Sequence, residues 1–133
     1  MIVLDASALI AFLDPSDGLH RRAVTSLIEL GPQRSLAISP VTRAEVLVGP
    51  ARAGTLEATE QAVAALGASE IGLPTDAARR LATLRARTRL KLPDCCVILA
   101  AQTSAGTILT FDDRLAAGAR QLAVGVERAA LAA

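Results

Sequence analysis

Hydrophobic and polar residues follow two kinds of pattern along the chain. Short apolar runs, rich in β-branched side chains, predict buried strands. Between them, apolar residues recur three or four positions apart, which is typical of helices that bury one face. Turn and cap residues separate the two patterns, as at Ser39-Pro40, where serine caps a helix and proline takes its first position. The predicted strands are residues 1–4, 35–38, 69–73, 107–109 and 121–126, and the predicted helices are residues 6–13, 19–30, 40–50, 55–66, 75–90, 93–104 and 112–118.

The alternation of strands and helices predicts an α/β fold. Strands that are joined by helices form βαβ units, whose strands are parallel. We therefore expect a mainly parallel central sheet with helices on both faces. A length of 133 residues is that of one domain, so residues 1–133 are predicted to form a single domain. Residues 128–133 are expected to form the frayed end of a helix.

The composition limits the classes of protein to which this chain can belong. Hydrophobic residues make up 52% and charged residues 20%, which excludes a disordered chain. Aromatic residues make up only 2%, which argues against surfaces that bind RNA by stacking its bases on aromatic rings. Because the net charge is only +1, any binding of nucleic acid must depend on a local site. Two cysteines and one histidine are too few for the usual zinc sites.

The sequence predicts neither a signal peptide nor a membrane span. The apolar run at the N-terminus has no basic residues before it and is interrupted by Asp5. No apolar run reaches the ~18–20 residues that cross a bilayer. We therefore expect a cytoplasmic protein that does not associate with membranes.

Acidic residues stand at the junctions where predicted strands end. Asp5 follows the first strand, Glu45 lies on the helix after the second, and Asp112 follows the strand at 107–109. Asp94 lies in the first turn of its helix. The carboxyl ends of parallel strands share one edge of a sheet, so these carboxylates are expected to converge. Ligation by oxygen alone suits Mg²⁺ or Mn²⁺, and such ions support the hydrolysis of phosphodiesters.

Each of these acids also has a purely structural explanation. Asp5 can cap the helix that follows it, and Glu45 fits a capping-box pattern. Asp94 can interact with the dipole of its helix, while Asp112 and its neighbour Asp113 can be turn and cap residues. No single acid decides between the two explanations, and it is their ordered placement on separate junctions that favours a site.

Four blocks of sequence surround these acids. They are IVLDASALI at 2–10, SPVTRAEVLVG at 39–49, LPDCCVILAA at 92–101 and ILTFDDRL at 108–115. Together the blocks resemble those of the PIN-domain ribonucleases, in particular the VapC-type toxins of toxin–antitoxin pairs, and the resemblance spans essentially the whole chain. In the fourth block the family's acid follows threonine by two positions, which favours Asp112 over Asp113.

The resemblance implies a fold and an activity. The fold would be the PIN-like three-layer fold, and the activity that of an endoribonuclease dependent on Mg²⁺ or Mn²⁺. Asp5 and Asp94 would hold the metal directly, and Glu45 and Asp112 would complete the acidic pocket and orient the attacking water. The residues expected to support the carboxylates from behind are Ser7 and Thr110.

The resemblance also implies partners. They are the RNA substrate, a cognate small antitoxin and a second copy of the chain in a homodimer. On an ideal helix Arg80, Arg87 and Lys91 line one flank, which we predict to contact RNA phosphates, although a solvated basic surface explains them equally well. The alternative function is a catalytically inactive PIN-like module that binds a partner. That alternative predicts the loss of one or more acids, and all four are present.

Overall fold

A parallel sheet forms the centre of the structure. The computed structural model describes residues 1–127, so the helix end predicted at 128–133 lies outside the described residues. The strands are β1 (Ile2–Leu4), β2 (Leu36–Ile38), β3 (Ser69–Glu70) and β4 (Thr107–Leu109). Within residues 1–127 they pair in parallel in the order β3-β2-β1-β4, so β1 is a central strand. The predicted parallel sheet is confirmed.

Helices connect the strands and cover the sheet. No helix in residues 1–127 is both long enough and apolar enough to cross a lipid bilayer. The helices are α1 (Ala6–Leu13), α2 (His20–Leu30), α3 (Pro40–Ala53), α4 (Leu56–Leu66), α5 (Ala77–Thr88), α6 (Leu92–Ser104) and α7 (Asp113–Gln121).

The two faces of the sheet build two hydrophobic cores. Because side chains alternate along a strand, Ile2 and Leu4 of β1 point to one face and Val3 to the other. Ile2 and Leu4 pack in a cluster with residues of α1, α3 and α4. Val3 packs in a second cluster with residues of α5, α6 and α7. The result is a mixed α/β fold of three layers, as predicted.

The predicted strand at 121–126 is wrong. The N–H of Val124 donates to the carbonyl of Ala119 at 2.9 Å, and Ala123 takes a left-handed conformation with φ of 59°. These features are typical of the end of a helix. An isolated bridge at Val126 contacts β4, where Ile108 donates its N–H to the carbonyl of Gly125 at 2.9 Å and accepts from the N–H of Glu127 at 2.7 Å. The N–H groups of residues 122–124 terminate α7 instead of extending a strand.

Several predicted boundaries also differ from the structure. The expected stop of α3 at Gly49-Pro50 is wrong, because the helix continues through Pro50 to Ala53. Gly54, with φ of 78°, ends it and donates its N–H to the carbonyl of Pro50. β3 has two residues rather than five, and α5 is shorter than predicted by two residues at each end.

Candidate active site

Asp5 is the most buried of the predicted acids. It directly follows β1 and caps α1, and only 4% of it is exposed. Its Oδ1 accepts a hydrogen bond from the N–H of Ala8 at 2.9 Å. The hydroxyl of Ser7 donates to both carboxylate oxygens at 2.8 and 2.9 Å, and that of Thr110 donates to Oδ2 at 2.5 Å. Asp5 therefore caps α1, and Ser7 and Thr110 are hydrogen-bond donors to its carboxylate.

Backbone groups orient the two supporting hydroxyls. The N–H of Phe111 donates to Ser7 Oγ at 3.1 Å, and the N–H of Asp112 donates to Thr110 Oγ1 at 2.9 Å. Each hydroxyl accepts from the backbone and so directs its own proton towards Asp5. This network fixes the carboxylate and joins the end of β1 to the loop after β4.

The pKa of Asp5 is raised above its ordinary value. Burial is the main cause, because removal from water penalises the charged form. The negative charge of Asp112 raises this pKa further, whereas the hydrogen bonds from Thr110, Ala8 and Ser7 lower it. The donors are thus not sufficient to offset burial, and a nearby cation would stabilise the charged form.

The four predicted acids line one cleft. Its volume is about 470 Å³, and it lies at the carboxyl ends of β1 and β4. Glu45 reaches it from the second turn of α3, Asp94 from the first turn of α6, and Asp112 from the cap of α7. The structure therefore brings together carboxylates that are far apart in sequence, as the strand-end argument predicted.

Negative charges in the cleft raise the pKa values of Glu45 and Asp94. Partial burial raises the pKa of Glu45, and the charges of Asp94 and Asp5 raise it further. Burial and the charges of Asp112 and Asp5 likewise raise the pKa of Asp94, while Lys91 and Arg114 lower it. Such mutual repulsion costs stability unless a cation neutralises it.

The donors in the cleft fit a hard divalent ion. Its titratable lining consists of carboxylates and basic groups, with no histidine or cysteine among residues 1–127 that line it. Within the same residues, no three His, Cys, Asp or Glu side chains lie close enough to form a preassembled metal site. Mg²⁺ typically keeps several waters and binds through one or two carboxylates plus substrate phosphates. A divalent ion bound by one or two of these carboxylates, with water as its remaining ligands, would therefore suit this cleft.

The structure separates the two adjacent acids of the fourth block. Asp112 lines the cleft, and its Oδ1 accepts from the N–H groups of Arg114 and Leu115 at 2.9 and 3.2 Å. Asp113 is exposed in the first turn of α7. Asp112 therefore serves as a helix cap and lines the cleft at the same time.

The predicted basic flank does not form one surface. α5 ends at Thr88, so Lys91 does not continue the line of Arg80 and Arg87. Lys91 lines the acidic cleft, whereas Arg80 and Arg87 line a separate groove of about 360 Å³. Arg80 also forms an exposed salt bridge with Asp76, with an N–O distance of 3.9 Å.

Three basic residues in the cleft were missed by the sequence analysis. They are Arg85 and Arg89, near the end of α5, and Arg114 on α7. The positions of Arg89 and of the Arg85 guanidinium depend on the turn between α5 and α6, where Arg89 takes a left-handed conformation with φ of 63°. The only sequence signal for this turn was Pro93, which marks the start of the next helix.

Comparisons with known proteins agree with this architecture. Residues 2–121 match the family model described as the PIN domain. No protein among those with curated descriptions matches. A toxin–antitoxin complex from Klebsiella pneumoniae contains a chain that is 28% identical, with a TM-score of 0.69 over 84% of this chain and 87% of that one.

Two more distant structures share the fold over nearly the whole chain. The Mycobacterium tuberculosis toxin VapC20, described as cleaving the sarcin–ricin loop, is 16% identical, with a TM-score of 0.77 over 98% of this chain and 100% of that one. VapBC2 from Rickettsia felis, bound to a promoter DNA fragment, is 15% identical, with a TM-score of 0.75 over 98% and 100%. Since the family model spans all four acids of the cleft, this chain belongs to the PIN domain family.

Proposed function

We propose that the chain is a metal-dependent endoribonuclease and the toxin of a toxin–antitoxin pair, acting in the cytoplasm as a single domain over residues 1–133. The observation that carries the proposal is the cleft in which Asp5, Glu45, Asp94 and Asp112 meet in a PIN-domain chain. Nothing in the cleft favours the inactive partner-binding module, because none of the four acids is missing.

Each acid has a proposed role. Asp5 and Asp94 would hold Mg²⁺ or Mn²⁺, which lowers the pKa of a bound water and stabilises charge on the phosphate. Glu45 and Asp112 would orient the attacking water and take up its proton at their carboxylate oxygens. Ser7 and Thr110 keep Asp5 in one orientation through the hydrogen bonds described above.

Cleavage of RNA by the purified protein tests the activity. Incubation of total cellular RNA with Mg²⁺ or Mn²⁺ should produce discrete fragments, and mapping their ends would identify the target. EDTA should abolish the cleavage, and excess Mn²⁺ should restore it. Undiminished cleavage in EDTA would contradict the metal-dependent mechanism.

The toxin role predicts a cellular effect. The Klebsiella relative comes from a toxin–antitoxin complex, and an apolar groove lined by Ile10, Leu13, Val46 and Pro50 lies beside Glu45. A small antitoxin with an apolar helix would fit such a groove and block the cleft. Expression of the chain should therefore arrest growth, and co-expression of its antitoxin should restore growth. Harmless expression of active nuclease would remove the toxin role alone.

The homodimer is tested independently. Ile10 and Val48 are large apolar side chains that remain 40% and 45% exposed. Exposed apolar patches commonly mark interfaces between proteins. Light scattering of the purified chain should give twice the monomer mass, and a monomer at all concentrations would exclude the dimer.

Substitution of Asp112 and Asp113 tests which of the two adjacent acids in the fourth block takes part in cleavage. Asp112→Asn should reduce cleavage by about 100-fold, since it removes a charge that faces the reacting water. Asparagine caps helices as well as aspartate does, so the fold should persist. The matched variant Asp113→Asn should retain cleavage. An equal loss in both variants, measured as initial rates, would refute the assignment of Asp112.

A further inference from the structure

The cleft contains basic side chains that form no salt bridge within residues 1–127, although the charges of Lys91 and Arg114 act on Asp94. Among residues 1–127 these are Arg85, Arg89, Lys91 and Arg114. None of them forms a salt bridge within these residues, although four carboxylates line the same cleft. Unpaired cations beside a site for phosphodiester cleavage are suited to bind the phosphates of the substrate.

Two of these arginines lead out of the cleft. Arg85 lies in the last turn of α5, and Arg89 directly follows the helix and donates its N–H to the carbonyl of Arg85 at 2.9 Å. Both also line a shallow groove whose remaining lining is Ala82, Ala86 and Leu92. The cleft and this shallow groove are therefore continuous across Arg85 and Arg89.

The local backbone positions both side chains. Arg89 ends α5 with a φ of 63°, a conformation that favours glycine, and the corresponding residues after α3 and α4 are Gly54 and Gly67. An arginine here is thus not needed for the turn. Arg85 Nη1 donates to the carbonyl of Leu90 at 3.2 Å, which holds its guanidinium over the same turn.

We propose that Arg85 and Arg89 bind RNA phosphates next to the scissile one and guide the single strand from the cleft into the shallow groove. The proposal rests on the proposed ribonuclease function and replaces Arg80 and Arg87 as the main RNA contacts. Phosphate contacts position a strand without selecting its sequence. The alanine side chains leave room for the strand and supply no rings on which bases could stack.

Binding of a labelled RNA tests the proposal. The probe is a fluorescein-labelled 12-nucleotide single-stranded RNA of mixed sequence, measured by fluorescence anisotropy in EDTA, where no cleavage is expected. Arg85→Gln and Arg89→Gly should each weaken binding by about tenfold. Each should also reduce the slope of log K against log salt by about 0.7, the value for one lost phosphate contact on a single strand.

Arg87→Gln is the matched control. It also removes one positive charge from α5, but Arg87 lines the separate groove. It should change the affinity by less than about twofold, as expected for a charge far from the strand. Arg89→Gly should not lower the melting temperature, because glycine suits the left-handed position. Arg89→Gln, which keeps the side-chain bulk, should show the same loss of affinity.

Measurements of RNA binding and of RNA cleavage distinguish the guiding role of Arg85 and Arg89 from the nuclease function. If Mn²⁺-dependent cleavage occurs but the Arg85 and Arg89 variants keep the wild-type affinity and salt slope, the guiding role is overturned and the nuclease remains. A loss that is equal in Arg87→Gln also overturns it, as does a wild-type protein that does not bind the probe. If no RNA is cleaved while binding depends on Arg85 and Arg89, the RNA path is supported and the nuclease proposal fails.

Discussion

Asp94→Asn should reduce RNA cleavage by at least about a thousandfold while the protein stays folded. If Asp94 holds the catalytic ion as proposed, its loss removes charge stabilisation worth several kcal/mol in the transition state. The Asp94 carboxylate accepts no hydrogen bond and forms no salt bridge within residues 1–127. Its replacement by an amide therefore leaves no neighbouring donor without a partner. The substitution also removes a charge that repels Asp112 and Asp5. Without metal, the variant should therefore melt at the same temperature as the wild type or higher.

Initial cleavage rates and thermal melting, both measured on purified protein, check this result. Asp76→Asn is a suitable control, because Asp76 is likewise an aspartate at a helix start but is exposed and lines the separate groove. It should keep the wild-type rate. Full activity of Asp94→Asn would show that Asp94 does not hold the ion, whereas unfolding would show that the cleft contributes to the fold without metal.

Substitution of Asp5 is a less specific test of metal binding, because it also disturbs hydrogen bonds. The hydroxyls of Ser7 and Thr110 donate to both of its oxygens, and each hydroxyl already accepts from the backbone. An asparagine would turn an amide N–H towards one of these hydroxyls. Asp5→Asn should inactivate the enzyme as well, with a smaller gain in stability than Asp94→Asn.

The centre of the fold follows from local sequence pattern. The apolar run before Asp5 and the apolar spacing after it predict β1 and α1 to within one residue, because burial on both faces and a side-chain cap are local properties. The run at 121–126 is also largely apolar but forms only an isolated bridge to β4 at Val126. The N–H groups of residues 122–124 close the end of α7, and sequence pattern does not reveal which of two partners a backbone group will bind.

The acidic half of the site was predictable and the basic half was not. Asp5 and Asp112 follow strands whose carboxyl ends must lie at one edge of a parallel sheet, so topology alone brings them together. The position of Arg85 and Arg89 depends instead on a turn at which a non-glycine residue adopts a positive φ. Ideal helical geometry extended α5 beyond Thr88 and so placed Lys91 on the wrong surface.

Divalent metal should stabilise the protein, and the effect should grow with pH. At about 100 times its Kd, an ion that binds only the folded state contributes about 2.7 kcal/mol, or roughly 5–15 °C in melting temperature for a domain of this size. The acids that would contribute have pKa values raised above their ordinary values of 3.8 for Asp5 and Asp94 and 4.5 for Glu45. Ions and protons compete for these carboxylates.

The sign of the pH dependence follows from the direction of these shifts. An acid whose pKa is raised in the folded state destabilises that state at pH values above the raised pKa, and the cost is relieved as the pH falls towards the ordinary value. Without metal, the contribution of Asp5, Glu45 and Asp94 therefore makes the protein more stable near their ordinary pKa values than at pH 8. The pKa of Glu127 is shifted in the opposite direction, so its effect on stability has the opposite sign. Burial raises its pKa, but the hydrogen bonds from Thr107 and Arg34 lower it below 4.5, so its stabilising effect is lost only at more acidic pH.

Melting curves in EDTA and in saturating Mn²⁺, at intervals from about pH 4 to pH 8, check this prediction. The difference between the two melting temperatures should be smallest at the acidic end and should increase as the three acids lose their protons. In Asp94→Asn combined with Glu45→Gln, two of the three shifted acids are absent, so the curve in EDTA should become flatter and the effect of Mn²⁺ should be largely lost. An effect of Mn²⁺ that is equally large in this double variant would show that the ion binds outside the acidic cleft.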